Sequence, residues 1–320
     1  MSSHSQRSID PPVWYTFEPF ERKPHDLFFL SRGSVRLFGQ KTPIKLPRIS
    51  GAEERKCCLI DKSMVLGLAQ REQVFQHGIT VFFHPLAASE RDELFRDLAT
   101  DPQTDLYYPF PYFAPGSRDE HLSSPDFWKP SPERVLELDE DERPIRELIV
   151  RLLAGFDLRG KVLFDPACST GKFLCTLREH YPGVRLIGQD RSREMADFCI
   201  GKLDEVHCGD AQFPVIPEES VDFVFLRFLN FDVTSVAAAH ELFAVNARRC
   251  RIGGYILVVG HTPILISSQW FECLGLKVER RTAWWTEASA VLQFYWLRRV
   301  NEVRDLPFVP RLSVVSAEPV

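Results

Sequence analysis

From about Arg143 onward, short apolar runs alternate with amphipathic stretches, and few folds accept that pattern. Residues 145–153 carry apolar side chains at helical spacing behind Pro144, which sits where a missing N–H costs nothing. Residues 161–165 read as a short buried strand. A helix opens at Lys172, with Ser169 or Thr170 as its N-cap. Residues 185–190 form the next strand, followed by a helix capped by Ser192. Residues 205–210, 221–226 and 255–259 supply three more strands, with a helix over 236–249 and a short one at 270–274. Strand and helix in alternation make a doubly wound sheet with helices on both faces. Two last strands, 277–284 and 291–298, are separated by too few residues for a parallel crossover, so they pair antiparallel. The expected fold is α/β: a doubly wound, mostly parallel seven-stranded sheet with one antiparallel strand, plus an N-terminal α+β cap. The divisions expected are 1–140 for the cap, 141–300 for the sheet domain and 301–320 for a tail.

The chemistry concentrates where strands end. Asp165 closes the first strand, and Pro166, Ala167, Cys168, Ser169, Thr170 and Gly171 turn the chain into a helix. Small residues let a ligand approach the backbone, and a helix N-terminus offers free N–H groups to an anion. The acid beside them prefers a cation. A ligand that is cationic and anionic at adjacent atoms, as the amino and carboxylate groups of a methionyl moiety are, satisfies both. Asp190 ends the second strand, where a carboxylate suits the hydroxyls of a ribose. Asp210, in Gly209-Asp210-Ala211, ends the third and is placed to accept from an adenine amino group.

In these residues, and in Val221-Asp222-Phe223-Val224, residues 140–300 resemble the class I, Rossmann-like S-adenosylmethionine-dependent methyltransferases. The family usually places Gly where Ala167 and Ser169 stand. The resemblance implies S-adenosylmethionine as cofactor, with Asp165 and the backbone of Ala167, Ser169 and Gly171 at its methionyl end. It implies Asp190 at the ribose, Asp210 and Ala211 at the adenine, and Met195 or Phe213 against the adenine face. Arg227 and Phe228, after the fourth strand, would face the transferable methyl group. The stretch 227–231 lacks the (Asp/Asn)-Pro-Pro-(Tyr/Phe) sequence, which argues against methylation of a nucleobase or a glutamine amide. Each acid also has a plainer reading: Asp165 and Asp190 as helix caps, Asp210 as a turn residue.

The first 140 residues are less regular. A helix is expected over 89–99 with Ser89 as cap, a strand over 79–84, and a hairpin of 27–30 with 35–38 through Ser31-Arg32-Gly33-Ser34. Residues 105–128 hold Pro109 and Pro111 among aromatics and read as an ordered loop. Tyr107, Tyr108, Tyr112, Phe113 and Trp128, with Phe228, are candidates for lining an apolar substrate site. Packing as the core of a small cap is the alternative. Arg32, Arg118, His121 and Arg227 are candidates for an anionic head group. His84, His121, His240 and His261 are candidate bases, and His121 and Arg227 the candidate catalytic residues. A carboxylate acceptor needs positioning but no base, whereas a hydroxyl or amine favours one.

The expected reaction is methyl transfer to a small, largely apolar molecule through an oxygen such as the carboxylate of a fatty or 3-hydroxy fatty acid. The organisation is weakly similar to enzymes that make 3-hydroxy fatty acid methyl ester signals, the molecules of quorum sensing. The alternatives are N- or C-methylation of a small aromatic secondary metabolite, and a non-catalytic adenosyl-ligand binder. A nicotinamide oxidoreductase would want Gly-x-Gly-x-x-Gly, and this loop has one Gly. Composition narrows the rest. A net charge of −5 gives no electrostatic footprint for nucleic acid. No apolar run is long enough to span a membrane, and Met1 to Pro12 lack a secretory apolar core, so a cytoplasmic protein is expected. The 8 cysteines include no CxxC pair, so they are expected to be reduced and mostly buried, with no metal site.

Overall fold

The computed structural model describes residues 12–19, 27–42, 59–98, 101, 103–107, 119–229, 233–260 and 266–306. The N-terminal part is built on β1 (Trp14–Pro19), β2 (Leu27–Arg32), β3 (Val35–Gln40), β4 (Ile60–Asp61), β5 (Val65–Phe75) and β6 (Gly78–Pro85). Then come α1 (Ala88–Leu98) and β7 (Asp105–Tyr107). Six of these strands form an antiparallel sheet in the order β1-β6-β5-β3-β2-β7. The expected hairpin is β2 with β3, turning through Gly33 at φ 56°. The helix begins one residue before Ser89, so that serine is not its cap; the Glu90 carboxylate accepts the Ala87 N–H at 2.6 Å instead. The loop expected over 105–128 contains a three-residue edge strand on β2 and a 3₁₀ turn at Pro125–Trp128. Residues 108–118, with both prolines, lie outside the described residues.

The remaining elements are α2 (Pro132–Asp141), α3 (Arg143–Leu153), β8 (Val162–Asp165), α4 (Lys172–His180), β9 (Arg185–Asp190) and α5 (Arg193–Cys199). They continue as β10 (Glu205–Cys208), β11 (Val221–Arg227), α6 (Val236–Arg249), β12 (Cys250–Val259), α7 (Ser268–Cys273), β13 (Leu276–Trp285) and β14 (Ala290–Arg299). Their sheet runs β10-β9-β8-β11-β12-β14-β13. β14 is antiparallel to both neighbours, as the short 286–289 link requires. The sheet has eight strands rather than seven, because β4 pairs with β14 at Val291 and Ala290. Pairing of β14 with β12 starts only at Phe294, which leaves the beginning of β14 open to this strand from the N-terminal part.

Every residue of β11 is buried, and its side chains serve two cores in alternation. Phe223 and Phe225 join Leu163, Leu257 and Phe294 on one face. Val224 and Leu226 join Phe164, Ile256, Val258 and Tyr295 on the other. A third cluster spans the two sheets: Phe28, Leu30, Ile60, Met64, Phe95 and Leu106 pack with Val291, and Trp284 lies against them. A polar network crosses the same border. Asp105 accepts from the Tyr295 hydroxyl at 3.0 Å and from the Ser268 hydroxyl at 3.1 Å, and the Arg281 Nε donates to Ser268 at 3.0 Å. Burial holds the Asp105 carboxyl above the ordinary range and the Tyr295 phenol well above its own.

Candidate active site at the sheet switch point

Strand order reverses between β8 and β11, and ligands of doubly wound sheets bind outside the carboxyl ends at such a point. Asp165 ends β8 and Arg227 ends β11. Both are buried, and the Arg227 Nε donates to Asp165 Oδ2 at 2.7 Å. The Arg227 Nη1 donates to Glu142 Oε2 at 2.5 Å, and its guanidinium lies 4.2 Å from the Phe173 ring centroid. Burial disfavours the Arg227 cation, but Asp165 and Glu142 together outweigh it and raise its pKa. The other Asp165 oxygen accepts the Ala167 N–H at 3.0 Å. So Arg227 sits on Asp165, the acid that the sequence offers to a methionyl amino group.

One helical turn beyond Glu142, Arg146 is only 5% exposed, and its Nη1 has no hydrogen-bond partner among the described residues. Burial lowers its pKa against the pull of Glu142 and Asp139, while Arg227 pushes the same way as burial.

The loop after β8 owes its path to left-handed residues at Ser169, φ 51°, and Gly171, φ 74°. Gly171, not Ser169 or Thr170, holds the N-cap position of α4, but the Thr170 hydroxyl accepts the Lys172 N–H at 3.3 Å and so serves the helix start in part as expected. The same hydroxyl, which is buried, donates to Asp139 of α2 at 2.6 Å. A Cβ on Gly171 would meet the Cys199 sulfur at 3.0 Å, so helix α5 also fits tightly against the loop. The Cys168 and Cys199 sulfurs are 4.0 Å apart, and both thiols are free and buried.

Asp190 staples two loops together. Its Oδ2 accepts the Ser169 N–H and its Oδ1 the Ser192 N–H, each at 2.9 Å. Burial raises its pKa, and those two N–H groups oppose the rise. Ser192 caps α5 as expected, accepting from the Met195 N–H at 3.2 Å. Asp210 accepts the Gln212 N–H at 2.8 Å, which is turn chemistry. Met195 and Ala211 are buried, whereas Phe213 is 73% exposed. Two buried amides missed by sequence reasoning hold this third loop. The Gln189 Nε2 donates to the Asp210 carbonyl at 2.7 Å, and its Oε1 accepts the Val215 N–H at 3.1 Å. The Asn246 Nδ2 donates to the Ala211 carbonyl at 2.7 Å. The signal was available: each is an amide inside an apolar run, and a buried amide must be satisfied.

Residues 119–142 cross the carboxyl ends of these strands. Glu120 accepts the Val236 N–H at 2.7 Å where α6 begins. The Lys129 ammonium feels Glu194 at the start of α5. Asp139 then meets Thr170, and Glu142 meets Arg227. His121 and Trp128 lie on this segment, both partly buried, and the Trp128 Nε1 has no hydrogen-bond partner among the described residues. His84 sits in the N-terminal sheet against the Pro12 carbonyl, and His240 against the carbonyl of Val236, the residue whose N–H Glu120 binds. Arg32 pairs with Asp97 and Asp101. Tyr107 ends β7, while Tyr108, Tyr112, Phe113, Arg118 and His261 lie outside the described residues. Phe228, directly after Arg227, is partly buried and left-handed at φ 53°, an uncommon state for a bulky residue. No group of three or more metal-ligating side chains occurs among the described residues. No helix among them is long and apolar enough to cross a membrane.

A family model described as a methyltransferase domain matches residues 164–258, from the end of β8 to β12. Isonocardicin synthase of Nocardia uniformis subsp. tsuyamanensis is 42% identical over 283 residues, covering 87% of this chain and 93% of that protein. Among solved structures, a SAM-dependent methyltransferase from Aquifex aeolicus is 19% identical, covering 53% of this chain and 99% of its own, with a TM-score of 0.39. A SAM-dependent methyltransferase from Leishmania major is 16% identical, covering 54% and 80%, with a TM-score of 0.43.

Proposed function

Because this chain belongs to the S-adenosylmethionine-dependent methyltransferases, we propose that it alkylates a nucleophilic oxygen of a small, largely apolar molecule held between the switch point and the segment 119–142. The observation that carries the reading is the meeting of Asp165, Asp190 and the loop 166–171 at one edge of the sheet, beneath that segment. The donor set fits the cofactor. An ionised carboxylate offers about four acceptor sites. The Ser169 and Ser192 N–H groups engage each Asp190 oxygen once, so acceptor capacity is left for ribose hydroxyls. Asp210 and the Ala211 backbone, fixed by Gln189 and Asn246, would read the adenine, with Met195 beneath it. S-adenosylmethionine, when bound, supplies a carbon made electrophilic by its sulfonium. This chain's residues then orient the acceptor and exclude water, and His121 would take up a proton from a hydroxyl acceptor.

Isonocardicin synthase is named for a discrete compound, which supports a small-molecule acceptor here. It gives no support to a fatty or 3-hydroxy fatty acid in particular. That acceptor rests on the apolar character of the N-terminal aromatics alone.

The Arg227–Asp165 pair favours a second reading of which carbon moves. A sulfonium has three S–C bonds, and an acceptor displaces whichever carbon is aligned behind sulfur. With Asp165 committed to Arg227, the ammonium of the amino acid arm loses its usual anchor, and the methylene of that arm is a second carbon, besides the methyl, open to attack. Mass spectrometry of both products separates the cases. S-adenosylhomocysteine with a methylated acceptor supports the first. 5′-Methylthioadenosine with an acceptor enlarged by the amino acid arm supports the second. Tight cofactor binding with neither product, across oxygen, nitrogen and carbon nucleophiles, overturns both and leaves an adenosyl-ligand binder.

Phe228 bears on the acceptor side. Left-handed strain in a non-glycine residue costs about 1–2 kcal/mol, and a partly buried ring gains a similar amount. Phe228→Gly should therefore change stability by under about 1 kcal/mol while lowering turnover. Unfolding curves and rates on one preparation check it, and unchanged turnover would remove Phe228 from the site.

A further inference from the structure

Two buried guanidinium groups lie within electrostatic reach of each other near the switch point and are satisfied unequally. Arg227 is held by Asp165 and Glu142. Arg146, on the neighbouring turn of α3, leaves its Nη1 without an acceptor among the described residues, although the residue is only 5% exposed. A buried cationic N–H with nothing to donate to is unfavourable, and natural sequences rarely retain one without use. The acids in its field are already engaged: Glu142 by Arg227, Asp139 by the Thr170 hydroxyl and Glu140 by Arg143. A further anion has to come from a ligand, and a guanidinium fork matches a carboxylate.

We propose that Arg146 receives the α-carboxylate of the cofactor's amino acid arm and is the positioning residue that fixes this arm beside the loop 166–171. The inference rests on the cofactor reading above. Two further observations favour this carboxylate over one on the acceptor. Arg146 shares the field of Asp139, which binds the Thr170 hydroxyl of that loop, and the field of Arg227, which covers Asp165. With Asp165 covered, the arm needs an anchor elsewhere, and α3 provides one.

The test is calorimetric binding of S-adenosylmethionine and of decarboxylated S-adenosylmethionine, without acceptor, to the wild-type protein, Arg146→Gln and Arg146→Lys. The wild type should prefer the carboxylated compound. Arg146→Gln should weaken it about 10- to 100-fold and the decarboxylated compound by less than about threefold, which erases the preference. Arg146→Lys keeps the charge but loses the fork, so it should retain part of the preference. It carries the comparison if the glutamine variant does not fold. Equal binding of both compounds by the wild type, or equal loss of both in a folded variant, overturns the assignment. Failure of the wild type to bind either compound overturns the cofactor reading beneath it.

Discussion

Arg227→Met should destabilise the protein by about 3–5 kcal/mol, the usual result of removing one partner from a buried ion pair. The loss comes less from the missing attraction than from what stays behind. Asp165 would be left buried and Glu142 partly buried, without the guanidinium that joins them. Adding Glu142→Gln should restore part of the stability, because it removes one stranded charge. Urea unfolding of the single and double variants measures this. A single variant within about 1 kcal/mol of wild type would mean that the pair is solvated in solution, since exposed pairs are worth no more than that. The double variant also separates folding from chemistry: recovered stability without recovered turnover would place Arg227 in alignment of the reacting groups.

The second large effect is expected at Asp190. Asp190→Ala removes the acceptor for two backbone N–H groups as well as the one proposed for the ribose, so both adjoining loops lose their staple. Cofactor affinity should fall by about 3 kcal/mol, roughly 100-fold. Asp190→Asn keeps one acceptor oxygen and should fall between. The pH dependence has a definite sign. Binding favours the ionised carboxylate, so affinity is complete above its pKa and falls as pH drops through it. Burial has raised that pKa, so the decline should begin above the ordinary Asp value of about 3.9. Titration calorimetry at several pH values on wild type and Asp190→Asn reads this directly. A wild-type affinity flat to below that value would exclude Asp190 from the contact.

The C-terminal half was readable because its central strands, β11 above all, are buried on both faces and appear as apolar runs. The acids that close β8 and β9 were readable for the same reason, since an acid ending such a run has no place in the core. The N-terminal sheet was less so. β5 was missed because Gln70 to Gln73 interrupt its apolar residues, and the register shift between Ala69 and Arg71 breaks its alternation. β1 was missed because Trp14, Tyr15 and Phe17 are exposed on an edge. In the site, Arg146, Glu142 and Asp139 escaped notice because they precede the first strand and look like ordinary helix-surface charges. Their engagement arises only when α2 and α3 fold against the loop 166–171 and the end of β11. Asp165 was seen, but the residue that occupies it is 62 positions away, a distance no local pattern spans.

The seam between the two sheets has a consequence for how this enzyme can diversify. Val291 and Trp284 pack with Phe28 and Phe95, and the Tyr295 hydroxyl is answered by Asp105. An N-terminal sheet grafted from a relative would therefore arrive with the wrong half of a jigsaw. New acceptor preferences in this lineage are expected to come from changes in residues 119–142 and the neighbouring loops, with the halves on either side of the seam drifting in concert rather than being exchanged as modules.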